Sequence, residues 1–94
     1  MDKVHKLKLS KDFCDAVLDG IKTFEIRYND RGYQKGDFIK FIPVDSISSL
    51  ATHWTHPIEN ALFEITYVIN GWGLKDDFVC LAIKRVKVDN DRFE

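Results

Sequence analysis

Hydrophobic and polar residues alternate and then change period along this chain, and the changes mark out its elements. Residues 3–9 place Val4, Leu7 and Leu9 among Lys3, His5, Lys6 and Lys8, which predicts a strand with one solvated face despite a phase slip at His5 and Lys6. Ser10 offers a side-chain oxygen to the free N–H groups of a helix start, and Asp12 adds charge that suits its first turn. Phe13, Cys14, Val17, Leu18 and Ile21 then recur at three- and four-residue spacings, the stripe of a helix that Gly20 closes.

Residues 23–27 alternate strictly, with Phe24 and Ile26 on one face and Thr23, Glu25 and Arg27 on the other. A turn-rich connection over residues 28–36 leads to a third strand at residues 38–42, halted at Pro43. Residues 44–57 read as a long loop with at most one helical turn, anchored by Ile47, Leu50 and Trp54. Residues 58–69 alternate again, with Phe63, Ile65, Tyr67 and Ile69 on one face. Asn70 to Gly73 break the pattern, residues 78–86 form the last strand, and residues 88–94 are a polar tail expected to fray. About five strands and one early helix predict a single α+β domain over residues 1–94, a small and mostly antiparallel sheet closed into a barrel with the helix beside it.

At 94 residues, 45% of them hydrophobic, the chain can fill one core. Its apolar runs are too short and too often interrupted to span a bilayer. The N-terminus lacks the apolar segment of a secretory signal, so the expectation is a cytoplasmic protein with Cys14 and Cys80 reduced. Net charge is −1 and the pI about 6.3, which gives no support for binding of nucleic acid by bulk electrostatics. Positive charge is local: residues 1–40 hold nine Lys and Arg against seven acids, and the remainder five against eight. His53 and His56 lack the further ligands of a metal site, so neither metal nor cofactor is expected.

The chemistry concentrates between helix and second strand. Gly20, Lys22, Thr23, Glu25 and Arg27 bring an ammonium, a hydroxyl, a carboxylate and a guanidinium into one short stretch. Same-face strand neighbours stand about 6–7 Å apart, near enough to pair or to grip one ligand. The plain alternative is a solvated surface ion pair worth about 0–1 kcal/mol.

The stretch from Asp19 to Arg27, followed by Asn29, Asp30, Arg31 and Gly32 and by Gly36 and Asp37, with Gly71, Trp72, Gly73 and Leu74 further on, resembles the ASCH domain family. Within it the chain is most similar to the bacterial and phage branch DUF3850. The resemblance implies a PUA-like barrel, a fold often used to bind RNA, and a cleft lined by a Gly-x-Lys-x-x-Glu-x-Arg signature that falls on Gly20, Lys22, Glu25 and Arg27. It implies single-stranded RNA or a modified nucleotide as ligand, with Asn29, Arg31 and Trp72 near the rim, and Trp72 or Tyr33 as planes for a stacked base. One ASCH branch hydrolyses the amide of N4-acetylcytidine with a Lys, a Thr and a Glu. Lys22 matches that set, but Glu25 stands where the Thr belongs, which leaves Thr23, with Glu64 as acid, for an amidohydrolase. A third class is a protein partner held by the loop at 44–57, where Ile47, Leu50 and Trp54 would form one apolar patch.

Overall fold

The computed structural model describes residues 3–46 and 50–87, and their elements form one mixed sheet with a helix on one side. β1 (Val4–Ser10) is followed by α1 (Lys11–Leu18), β2 (Phe24–Tyr28), β3 (Phe38–Val44), a 3-10 turn at Pro57–Asn60, β4 (Leu62–Asn70) and β5 (Phe78–Val86). The sheet runs β1-β3-β4-β5-β2. β1 and β3 are parallel and the other three pairs antiparallel. The expected closure into a barrel does not occur: β1 and β2 are the two ends of the ladder.

Each sequence pattern is adjusted by a long-range partner. The phase slip in β1 disappears because His5, Leu7 and Leu9 all point inward while Val4 is exposed. Histidine can take this core position because its Nε2 bonds Asp37 Oδ2 at 2.8 Å and its ring lies 4.8 Å from that of Tyr33. Pro43 does not halt β3. The N–H it lacks would point away from β1, beyond the last residues of β3 that pair with β4, and its carbonyl accepts from Trp54 N–H. The segment expected to continue as strand from Ile58 begins as the 3-10 turn, capped by His56, whose Nδ1 accepts from Ile58 N–H. Between Ile65 and Tyr67 a bulge adds one residue to β4, which turns Tyr67 outward and lets Val68 pack on the core.

One hydrophobic core lies between the inner face of the sheet and α1, which contributes Cys14 and Val17. Leu7, Ile39, Phe41, Ile58, Ile65 and Leu81 are its largest fully buried side chains. Trp54 is half-buried, packs against this core and stacks on His56, while Leu50 is exposed. Ile47 and the tail at 88–94 lie outside the described residues. Both cysteines are free thiols. Among the described residues no helix is long and apolar enough to cross a membrane.

Candidate binding cleft

The cleft begins where α1 stops. Gly20 has φ +76°, its N–H donates to Val17 carbonyl and that of Ile21 to Ala16 carbonyl, the paired bonds of a Schellman ending. Lys22 N–H shares the Ala16 carbonyl at 3.0 Å, which fixes the backbone from which the Lys22 side chain departs. β2 follows at once, and its alternation is inverted relative to the usual rule: Glu25 is buried, Arg27 half-buried, and Phe24, Ile26 and Tyr28 face outward.

Glu25, with a side chain only 5% exposed, is held by two cations. Lys22 Nζ donates to Oε1 at 2.7 Å and Arg27 Nε to Oε2 at 3.0 Å. Lys22 Nζ also donates to Phe24 carbonyl at 2.8 Å and lies 5.1 Å and 4.7 Å from the ring centroids of Phe13 and Phe24, within cation–π range. Arg27 Nη2 reaches across to Lys8 carbonyl on β1. Two cations around one carboxylate leave the cluster one net positive charge, partly withdrawn from water, where it acts more strongly than on the open surface.

These side chains stand in a cavity of about 430 Å³ lined by residues 8–10 of β1, Phe13, Lys22 and β2. It is the gap between the two ends of the sheet. Thr23 carbonyl accepts from Ile83 N–H and Asn29 N–H donates to Asp77 carbonyl. By the alternation of an antiparallel ladder, the backbone groups of Phe24, Ile26 and Tyr28 therefore point away from β5 and toward the cleft. Lys3 carbonyl accepts from Phe38 N–H, so the same argument turns those of Val4, Lys6 and Lys8 toward it from the other side. The walls thus offer backbone donors and acceptors as well as charge and two phenyl rings.

Of the residues singled out in the sequence, Lys22, Glu25 and Arg27 converge here. Thr23 is exposed and borders a separate hollow of about 160 Å³. Glu64 sits on β4 opposite Lys84 and does not line the cleft. Asn29 accepts from Tyr33 N–H and lines a groove beside the β4–β5 turn, Arg31 is exposed near Asp30, and Trp72 stands at the tip of that turn. Trp72 is 91% exposed with φ +54°, so it packs into neither core nor turn. Tyr33 is buried against His5 and presents no open face for stacking. Lys8, Ser10 and Phe13 were missed, because their place in the cleft depends on β1 and β2 meeting across it. Their one signal was Phe13, set one position off the buried pair Cys14 and Val17 on the helix stripe.

Burial, and then the charge of Asp15, push the Cys14 thiol up to about 11, far from the thiolate a nucleophile needs. His56 Nε2 bonds Asp15 at 2.7 Å and His53 Nε2 bonds Glu59 at 3.1 Å, so the two imidazole rings engage different carboxylates.

The sequence profile of the family described as "Domain of unknown function (DUF3850)" matches residues 4–83, which takes in every element from β1 into β5. A 37-residue stretch is 46% identical to the "Uncharacterized 12.9 kDa protein in GpA 3'region" of Escherichia phage P2. That stretch is 39% of this chain and 34% of the phage protein, so the match spans about a third of the relative's length.

Proposed function

This chain belongs to the DUF3850 family, and we propose that its cleft binds single-stranded RNA or a modified nucleotide, in keeping with a PUA-like, ASCH-type ancestry. The observation that carries this reading is the buried Glu25 carboxylate clamped between Lys22 and Arg27 in a cavity bounded by two unpaired strand edges. At about 430 Å³ the cavity falls in the range of small-ligand sites. Glu25 accepts from an exocyclic amino group once a ligand competes with its cations, Arg27 offers a planar fork to phosphate or a base edge, and Lys22 supplies a point charge. The inward-turned backbone of Ile26 and Lys8 adds donor–acceptor edges that a nucleobase can match.

The adjoining surface suits a phosphate chain. Lys6 and Lys8 point outward on β1, and Lys40 is the register neighbour of Lys6 on β3. A bound strand would lay phosphates over these three lysines and place one base in the cleft, a contact of few charges with a shallow salt dependence.

The test is binding of a panel of short single-stranded RNAs, with cytidine and N4-acetylcytidine included, to wild type, Glu25→Ala and Arg27→Ala. Selective binding lost in both folded variants supports the reading. No binding across the panel overturns it, and release of acetate moves the protein to the amidohydrolases.

A further inference from the structure

The outer face of the sheet, opposite the core, carries a second surface. Register places Phe24 and Tyr67 on either side of β5 in one row, Ile26 and Ile69 in the next, and Tyr28 beside Phe78 in the third. Between them β5 contributes only the small residues Cys80 and Ala82. Tyr67 is 61% exposed, Tyr28 55%, Ile26 51% and Phe24 43%, and no helix packs on this side among the described residues. At ~200 Å² per aromatic side chain, these residues leave roughly 400 Å² of apolar surface in one patch. That is within the range of the largest patch on a typical monomer, where such patches are often functional.

We propose that this face is where two copies of the chain associate, sheet against sheet about a two-fold axis. The three rows contain no charged side chain of their own, and Lys22, whose ammonium lies 4.7 Å from the Phe24 ring, is already paired with Glu25. The same lack of charge lets the face meet itself without like-charge repulsion, and a net charge of −1 adds little. The apolar area is about half of the ~800 Å² each partner gives to a standard interface, the size of a weak, exchanging dimer. Apolar sheet faces pack about 10 Å apart, as in a sandwich. The inference stands apart from the RNA reading, although Phe24, Ile26 and Tyr28 belong to both this face and the cleft lining.

Sedimentation of the ligand-free chain from about 1 µM to about 1 mM spans the affinities open to such an interface. The expected result is a monomer–dimer equilibrium that Tyr67→Asp, on β4 and away from the cleft, weakens by about tenfold or more, while Trp72→Ala at the hairpin tip leaves it unchanged. Because Tyr67 is exposed, the Asp variant should melt as cooperatively as wild type. Concentration-dependent broadening of the Tyr67, Ile69 and Phe78 resonances in wild type gives a second reading without mutation. A monomer at every concentration, or a dimer indifferent to Tyr67→Asp, overturns the proposal.

Discussion

Glu25 is a buried anion that would be costly alone, and its two partners divide the cost: Lys22 takes one oxygen and Arg27 the other. Glu25→Gln keeps the shape but leaves two cations facing an amide, so equilibrium urea unfolding at pH 7 should show a loss of about 2–4 kcal/mol. Arg27→Lys should keep the charge but lose the two-way reach to Glu25 and Lys8 carbonyl, weakening ligand binding more than stability. Asp37 gives a pH prediction. Burial alone would raise its carboxyl, but hydrogen bonds from His5 and from the Lys3 and Gln34 N–H groups outweigh that and hold it below the ordinary 3.8. A lowered folded value means stability present above about pH 4 and lost as pH falls through it. Acid unfolding of Asp37→Asn should therefore start from lower stability at neutral pH and show a flatter limb below pH 4. None of this network was legible in the sequence, since a histidine on an apolar face declares no partner thirty-two residues away.

At the scale of elements, the short connection from α1 to β2 sets the cleft. Gly20 takes a left-handed backbone with open space around its absent Cβ, so Gly20→Ala meets no clash and suffers only the conformational penalty, about 1–2 kcal/mol. Thermal melts should show that loss, together with weaker ligand binding because Lys22 is bonded to the same Ala16 carbonyl. The helix, its cap and the extent of β5 were legible because they rest on local rules: Ser10 accepts from Asp12 N–H as a cap should, and β5 opens on an unbroken apolar run from Phe78 to Ile83. β2 was legible as a strand, but which face is buried was not. Apolar Phe24 and Ile26 would ordinarily turn inward; they do not, because Lys22 and Arg27 come with Glu25 as its counter-ions and β1 supplies a carbonyl to receive the guanidinium. The bulge before Tyr67 escaped for a related reason, as a one-residue shift becomes visible only against β5.

For the molecule as a whole, the open ladder matters most. Alternation could suggest a sheet of five strands but not which pair would stay apart, nor that β1 would lie parallel to β3. Amide hydrogen exchange tests the arrangement directly. The N–H groups of Ile26 and Lys8, turned to the cleft, should exchange quickly in the free protein and slow on ligand binding, whereas those of Glu25 and Arg27, facing β5, should be slow in both states. Equal protection of all four in the free protein would mean that the gap between β1 and β2 is not open.

That gap also has a kinetic meaning. In the ladder β1 pairs with β3 alone, Val4 against Phe38, and β2 with β5 alone, Glu25 against Leu81. The two walls are close in the chain yet connected through every other strand, so local collapse cannot assemble them; loops of about thirty and fifty residues must close first. The cleft is therefore complete only when the last strand has docked, and the appearance of ligand binding during refolding would time the final step of folding itself.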